Sequence, residues 1–398
     1  MKRIAFFSNS PLVGTGYGTQ AADVLPRFKA DGYEVAAVAN YGLAGATVDW
    51  AGIPILPQGY DGWSNDLAPL HIKHWIKDDG LGVVLYDVWT LKGPLWQGIP
   101  LACWVPVDHD PAPPEVVAFF KQPNERHWAI AMSEFGRDRL TRAGVEDVLY
   151  VPHAIDTNLF TPEGPNFRAQ IGIPEDAHLT VVNNANKGNP PRKSWPELLA
   201  AWSIFAQQKT DAWLYLHTEQ AGLGSGLNLL RLLHAVHAPM DRVKFVPQYQ
   251  YRTGIPTSEM PAIYRMGDVL LQPSRGEGFG IPSVEAQSCG LPVIVSKFSA
   301  QPELVGAGWQ VGGQLDWSEG MASWQMIPAV SEIVEALLAA YEAKDDKNLR
   351  AKAREFALGY DSAAVYEKHW RPVLAELSSR LAPQLNREQR RAALKGKK

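Results

Sequence analysis

Residues 275–296 read RGEGFGIPSVEAQSCGLPVIVS, and this stretch with its neighbours indicates the fold class. The apolar run at 269–272 comes just before it and predicts a buried strand. Pro282 suits the first turn of a helix, and Gly290 suits the position just after a helix end. The apolar residues 292–296 then predict another strand. Strand, loop, short helix and strand in succession indicate a parallel sheet covered by helices.

The same alternation continues along the chain. Strands are predicted at 2–8, 33–39, 82–86, 101–107, 128–132, 147–151, 179–183, 212–218 and 243–246. Helices are predicted at 19–30, 134–143, 195–208, 227–236, 259–266 and 282–289, with Ser133 and Ser194 as N-caps. Residues 152–167 are rich in Pro, Asn, Asp and Gly and read as a linker. The chain is therefore predicted to form two Rossmann-like α/β domains that face a cleft.

The predicted division is an N-terminal domain at 1–157, a second domain at 158–360 and a C-terminal helix at 361–398 that packs back toward the first domain. The last residues, 386–398, form a basic tail. A solvated, frayed end is the favoured interpretation of this tail, and contact with an anionic surface is the alternative.

Bulk composition excludes several classes of protein. The 398 residues carry a formal net charge of −4, which argues against a general nucleic-acid binder. Cys103 and Cys289 are the only cysteines, so a disulfide framework is not expected. A cytoplasmic location is expected instead. No apolar run approaches the roughly 18 residues of a transmembrane helix. The 14 Trp are interpreted mainly as packing residues, with sugar-stacking platforms as the alternative.

Two carboxylates flank the glycine-rich loop that leads into the helix at 282–289. Glu277 lies on the loop, and Glu285 lies near the start of the helix. The N-terminus of a helix attracts phosphate oxygens, whereas carboxylates accept hydrogen bonds from hydroxyl groups. A nucleoside-diphosphate sugar offers a diphosphate with hydroxyls on both sides, so it fits this pattern. The alternative is that Glu285 only complements the helix dipole and Glu277 is solvated.

The motif Glu277-x7-Glu285, written EGFGIPSVE, resembles the signature of retaining GT-B glycosyltransferases, especially family 4. The resemblance implies that Glu277 contacts the transferred sugar and that Glu285 binds the donor ribose. It also places Gly278, Phe279 and Gly280 at the donor.

Three further stretches resemble elements of that family. In TGYG after the first strand, Gly16 and Gly18 let the backbone approach a phosphate. In NNANKGNPPRKS, at 183–194, Arg192 and Lys193 are expected to neutralise the donor diphosphate, with Lys187 as the alternative to Arg192. His109 is implied to lie beside the donor sugar.

Asp108-His109-Asp110 has a second interpretation. A D-x-D spacing can hold Mg²⁺ or Mn²⁺, which bridges a diphosphate in the other major glycosyltransferase fold. The family resemblance favours a sugar-contacting His109, with neither a metal nor a cofactor.

The resemblance implies transfer of a sugar with retained anomeric configuration. An isomerase of the sugar-nucleotide 2-epimerase type and a non-catalytic nucleotide-sugar binding protein are the alternatives. The sequence does not indicate the donor base, the donor sugar, the acceptor or the oligomeric state. A nucleic-acid acceptor is not indicated, but it is not excluded.

Overall fold

The structure is a computed structural model, and it describes residues 1–123, 125–188, 190–222 and 225–381. Two sheets follow each other along the chain, each covered by helices. The tail at 386–398 and the predictions made for it lie outside the described residues. None of the helices in the described ranges is long and apolar enough to span a bilayer.

The first sheet has the strand order β3-β4-β2-β1-β5-β6-β7-β8 and is parallel except between β3 and β4. Its strands are β1 (Arg3–Asn9), β2 (Glu34–Tyr41), β3 (Val48–Trp50), β4 (Ile53–Leu56), β5 (Gly80–Val84), β6 (Leu101–Val105), β7 (His127–Ala131) and β8 (Leu149–Tyr150). Its helices are α1 (Gly16–Ala30), α2 (Ala68–Ile76), α3 (Pro114–Phe120) and α4 (Glu134–Arg142).

The second sheet has the order β11-β10-β9-β12-β13-β14, with parallel pairing throughout. Its strands are β9 (His178–Asn183), β10 (Ala212–His217), β11 (Val243–Phe245), β12 (Val269–Gln272), β13 (Val293–Ser296) and β14 (Gly308–Val311). The helices of this half are α5 (Trp195–Gln208), α6 (Leu229–Ala235), α7 (Gln248–Thr253), α8 (Met260–Arg265), α9 (Ile281–Ser288), α10 (Val330–Glu342) and α11 (Lys347–Leu358).

The parallel strands of each sheet reverse their order once. The reversal falls between β1 and β5 in the first sheet and between β9 and β12 in the second. Ligands of open α/β sheets bind outside the carboxyl ends of the strands at such a point. The α/β fold with two Rossmann-like sheets is thus confirmed. The loops after the strands at each reversal, the switch point of the sheet, are where a ligand-binding site is expected.

Strand β6 shows why the pattern of apolar runs identified the sheets. All five of its residues are buried, as a parallel strand covered on both faces must be. Trp104 on this strand is fully buried, and its indole N–H donates to the Val151 carbonyl oxygen at 2.7 Å. The large ring is therefore buried without leaving its polar atom unpaired.

The C-terminal elements contact the first domain. They are α12 (Ser362–Val365), a π-helical turn (Tyr366–Trp370) and α13 (Arg371–Leu381). The Trp370 ring lies 4.9 Å from Trp104 and 5.1 Å from Phe28, centroid to centroid, and the Tyr366 hydroxyl donates to Asp31 at 2.8 Å.

A hairpin of β15 (Gly313–Ser318) and β16 (Ser323–Pro328) was not predicted. Trp324 on β16 exchanges two backbone hydrogen bonds of 3.0 Å with Asp110 of the first domain. Met326 donates its backbone N–H to the Arg275 carbonyl oxygen at 3.0 Å, next to the loop after β12. The hairpin therefore connects both domains at the edge of the cleft.

Two local predictions need correction. Helix α1 begins at Gly16 and not near residue 19, because the Thr15 side chain caps it by accepting the Gly18 N–H at 3.1 Å. Ser194 does occupy the N-cap position of α5, but it has a left-handed backbone (φ 52°) and its side chain makes no capping hydrogen bond. The cap predicted at Ser133 is confirmed, since its hydroxyl accepts the Gly136 N–H at 3.0 Å.

Candidate active site

The loops after β9 and β12 bring the predicted cations and one predicted carboxylate together. Arg192 donates from Nη1 to the Glu277 Oε2 at 2.9 Å, and Lys193 Nζ binds the other carboxylate oxygen. Arg192 Nη1 also donates to the Gly276 carbonyl oxygen. These partners lie more than eighty residues apart in the chain, so only the sheet topology places them in contact.

The loop that carries the cations is held at both of its ends. Asn186 donates its side-chain N–H groups to the carbonyl oxygens of Glu219 and Leu227, at 3.0 and 2.7 Å. Trp195, the first residue of α5, is fully buried and donates its indole N–H to the Ala185 carbonyl oxygen at 3.3 Å. The backbone that carries Lys193 is therefore held in place, so the positive charge of Lys193 is preorganised for a ligand.

Glu277 is ionised across the physiological pH range. Burial alone would raise the pKa of its carboxyl group, but the charges of Arg192 and Lys193 and the hydrogen bonds to it lower the pKa to about 2. Only 6% of the residue is exposed, and its backbone N–H donates to the Ser299 hydroxyl at 2.8 Å. The carboxylate is thus fixed as an acceptor beside two cations.

His109 lies at the first-domain edge of the same cluster. Its Nδ1 is 2.6 Å from Asp108 Oδ1, and the other oxygen of Asp108 lies 3.6 Å from Arg192. Burial would raise the pKa of Asp108, but the hydrogen bond from His109 and the Arg192 charge lower it. His109 is 5% exposed, so Asp108 fixes the orientation of a buried ring.

Asp110 belongs to a different contact. Its carboxylate lies 3.3 Å from Arg139 Nε, while Asp108 faces His109 and Arg192. Across the ranges that the structure covers, no three His, Cys, Asp or Glu side chains cluster as metal ligands do. Donor binding without a metal stays a prediction.

Glu285 lies on α9 away from the two cations. The Tyr264 hydroxyl donates to its Oε2 at 2.6 Å and in turn accepts the Asn183 side-chain N–H at 2.8 Å. Burial raises the pKa of Glu285 to about 7, although the Tyr264 hydrogen bond opposes the shift. A hydroxyl-bearing ligand that reached this carboxyl group would favour its ionised form.

Sequence reasoning missed Tyr264, and its neighbour Asn183 offered the one usable signal. Asn183 is the single polar side chain at the carboxyl end of the apolar strand β9, beside the switch point. A polar residue there is a candidate for a ligand contact. Nothing in the sequence connects Tyr264 with Glu285, because packing of α8 against α9 creates the contact.

The glycines of the motif have a steric role in this structure. A Cβ on Gly278 would lie 2.5 Å from the Pro106 Cβ, and one on Gly276 would lie 2.2 Å from the Asp108 carbonyl oxygen. The loop after β12 therefore touches the first domain directly, and only glycine permits this approach. Gly280 has φ 124°, which also favours glycine.

Other predicted donor contacts are engaged within the protein. Phe279 is 3% exposed, and its ring lies 5.2 Å from His153 and 5.7 Å from Tyr360. The Gly18 N–H is used by the Thr15 cap, and a Cβ there would meet the Val13 carbonyl oxygen at 2.3 Å. A Cβ on Gly16 would lie 3.4 Å from Ile281 Cδ1, the closest approach that it would make. Ligand contacts of Gly16, Gly18, Gly278, Phe279 and Gly280 stay predictions.

Comparison with known proteins identifies the part of the chain that holds these groups. Residues 191–312 match the family model described as Glycosyl transferases group 1. The match spans about a third of the chain and is confined to its second half. The matched stretch contains Arg192, Lys193, Glu277 and Glu285, whereas His109 lies outside it.

Two relatives found by sequence each match less than half of the chain. The D-inositol 3-phosphate glycosyltransferase of Segniliparus rotundus is 30% identical over 177 residues, which is 44% of this chain and 37% of that protein. The GDP-mannose-dependent alpha-(1-6)-phosphatidylinositol monomannoside mannosyltransferase of Mycolicibacterium smegmatis is 28% identical over 187 residues, 44% of this chain and 45% of that protein. The chain thus matches less than half the length of these two relatives.

Solved structures match nearly the whole chain. Sucrose-phosphate synthase from Thermosynechococcus elongatus has a TM-score of 0.73 at 17% identity and covers 95% of this chain and 100% of that one. Anabaena HepE in complex with UDP and glucose has a TM-score of 0.67 at 17% identity and covers 94% of this chain and 100% of that one. These similarities confirm the GT-B architecture of the fold.

Proposed function

We propose that the protein transfers a sugar from a nucleoside-diphosphate sugar to an acceptor, with retention of the anomeric configuration. The observation that carries this proposal is the contact of Arg192 and Lys193 with Glu277, inside the stretch that matches the glycosyl transferases group 1 model. Two cations and a buried carboxylate on switch-point loops suit a ligand that has a diphosphate joined to a polyhydroxylated ring.

Each group has a distinct role in the proposed reaction. Arg192 and Lys193 bind the diphosphate and stabilise the charge that develops on it as the sugar departs. Glu277 accepts hydrogen bonds from hydroxyls of the transferred sugar, His109 lies beside that sugar, and Glu285 binds the ribose. The domains position donor and acceptor and exclude water, which limits hydrolysis of the donor.

Calorimetry with UDP-, GDP- and ADP-sugars, with and without Mg²⁺, tests the donor site. We expect one donor to bind in the absence of Mg²⁺ and its binding to be lost in Glu285→Ala. Glu303→Gln is a matched control, because Glu303 is also a partly buried carboxylate with a pKa raised by burial to about 7, but it accepts the Glu134 N–H outside the cluster. Absence of donor binding would overturn the assignment of the donor site. Binding that requires Mg²⁺ and is retained in Glu285→Ala would also overturn it, and would favour Asp108 and Asp110 as metal ligands.

Donor affinity is expected to weaken as the pH falls from 8 to 6. The reason is that Glu285, whose pKa is raised by burial to about 7, becomes protonated over this interval and accepts ribose hydroxyls less well. One pH unit below that pKa about a tenth of the carboxyl groups are ionised, so the expected loss is about tenfold. Calorimetry with the nucleotide sugar measures it. Glu285→Gln should remove the pH dependence and Glu303→Gln should keep it; the same slope in Glu285→Gln would assign the titration to another group.

A further inference from the structure

A cluster of aromatic rings is centred on Tyr86, just after β5 of the first domain. The ring of Trp63 lies 5.9 Å from Tyr86 and 5.8 Å from Trp89, centroid to centroid, and Tyr17 lies 5.9 Å from Tyr86. Asp87 lies between Tyr86 and Trp89 in the chain. We call these five residues the aromatic cluster.

The most exposed ring of the aromatic cluster is carried by a fixed loop. Trp63 is 41% exposed, although it contacts two other rings. The side-chain oxygen of Asn65 accepts the Trp96 indole N–H at 2.7 Å, and a carboxylate oxygen of Asp66 accepts the Tyr60 backbone N–H at 2.9 Å. An exposed indole on a backbone fixed in this way loses little conformational freedom when a ligand binds.

The aromatic cluster borders the proposed donor site. Strand β5, which ends just before Tyr86, pairs in parallel with β6, and the loop after β6 carries Asp108 and His109. The Asp108 carboxylate lies 3.6 Å from Arg192 Nη1. Besides burial, the charges of Asp108 and Arg192 act on the pKa values of Asp87 and Tyr17. Since Arg192 also binds Glu277, the aromatic cluster follows the strand next to the loop that contacts the proposed diphosphate-binding groups.

The chemistry of the aromatic cluster suits a ring with hydroxyl groups. Aromatic faces pack against the apolar C–H face of a sugar or cyclitol, and a carboxylate accepts hydrogen bonds from its hydroxyls. A phosphate group is disfavoured, because Asp87 and Asp108 are acidic and Arg192, the cation beside Asp108, is assigned to the donor diphosphate. Trp63 thus departs from the expectation that the tryptophans are packing residues, whereas Trp104 and Trp370 are fully buried.

We propose that Trp63, Tyr86 and Trp89, with Asp87, form the acceptor subsite, and that this subsite takes a neutral polyhydroxylated ring, such as a glycoside or a cyclitol. This inference rests on the proposed transferase function. It specifies an acceptor without a phosphate group, whereas the relative from Segniliparus rotundus is named for inositol 3-phosphate.

Binding and transfer are measured separately to test this subsite. Tryptophan fluorescence is titrated with methyl α-D-glucopyranoside, methyl α-D-mannopyranoside and myo-inositol, and with glucose 6-phosphate and inositol 3-phosphate, in the presence of the nucleoside diphosphate that binds best. The same compounds are offered as acceptors with the corresponding nucleotide sugar. Hydrolysis of the donor by water reports on the donor site alone.

We expect at least one neutral ring to bind and to bind about tenfold more tightly than the phosphorylated compounds. Trp63→Ala should weaken binding and raise the acceptor KM about tenfold, while donor hydrolysis stays within about twofold of wild type. Tyr60→Ala is the matched control, because the Tyr60 side chain is fully exposed on the same loop and only its backbone binds Asp66.

Several results would overturn the subsite. These are tighter binding of the phosphorylated compounds, equal behaviour of Trp63→Ala and Tyr60→Ala, or failure of every neutral ring to bind while the donor still binds. Binding of a nucleobase or an oligonucleotide in place of the neutral rings would assign the aromatic cluster to a nucleic-acid acceptor. If the wild-type protein neither binds nor hydrolyses any nucleotide sugar, the proposed function itself is refuted.

Discussion

Replacement of Glu277 by glutamine is expected to lower the kcat of sugar transfer about 10²- to 10³-fold and to leave the affinity for the free nucleoside diphosphate nearly unchanged. The carboxylate is ionised and buried, and two cations fix its orientation. Its proposed ligands are hydroxyls of the transferred sugar, which the free diphosphate lacks. Glutamine has nearly the same shape, so the loss reports on charge rather than on packing.

Loss of the negative charge lowers the kcat of sugar transfer, but it does not weaken the binding of phosphate by the two cations. Lys193 and Arg192 bind Glu277 in the empty site, and the variant leaves them free to bind phosphate oxygens. The affinity for the nucleoside diphosphate should therefore stay equal or increase. Single-turnover transfer and calorimetry with the free diphosphate separate the two effects.

Glu197→Gln is the matched control for this prediction. Glu197 also pairs with an arginine of the loop after β12, at 3.3 Å from Arg275 Nη2, but it lies outside the cluster of Arg192 and Lys193. Its kcat should stay within about threefold of wild type. An unchanged kcat in Glu277→Gln together with weaker diphosphate binding would show that Glu277 only supports the loop.

The second domain was predicted well because its signals are local. A strand at 269–272 and a helix at 195–208 have the predicted bounds, and Gly290 follows α9 with φ 74°. Apolar runs, prolines and glycines act over a few residues, so their effect can be read from the sequence.

In the region at 44–100 only the strand at 82–86 was predicted, because the other elements are short and partly exposed. Strand β3 has three residues, none of them buried, and it pairs antiparallel with β4 at the edge of the sheet. The hairpin β15–β16 is equally hard to predict, since its first strand has no buried residue. Such strands form through pairing with neighbours rather than through their own apolar pattern.

The candidate site could be predicted residue by residue but not as a set of contacts. The motif indicated Glu277, Glu285, Arg192 and Lys193 as ligand-binding groups. It did not indicate that Glu277 and the two cations bind one another while Glu285 instead binds Tyr264. Those contacts join residues of separate elements and depend on how the sheets and helices pack.

Replacement of Lys193 by methionine is expected to weaken binding of the nucleoside diphosphate and of the donor about 10- to 100-fold, and to lower kcat/KM about 10²- to 10³-fold. Lys193 supplies a charge that is largely shielded from water, with 14% of its side chain exposed, so its attraction to a diphosphate is weakly screened. Methionine preserves the length of the side chain and removes only the charge. Calorimetry and initial rates with the same donor measure the two effects.

Lys187→Met decides which cations of this loop act on the donor. Lys187 lies on the same loop and is exposed, whereas Lys193 and Arg192 both bind Glu277. We expect Lys187→Met to match wild type in affinity and rate, because water and salt screen an exposed charge. Equal losses in Lys187→Met and Lys193→Met would mean that the loop attracts the donor only through its net charge. A loss confined to Lys193→Met and Arg192→Ala would place the diphosphate at the cluster with Glu277, where the departing phosphate meets both cations at once.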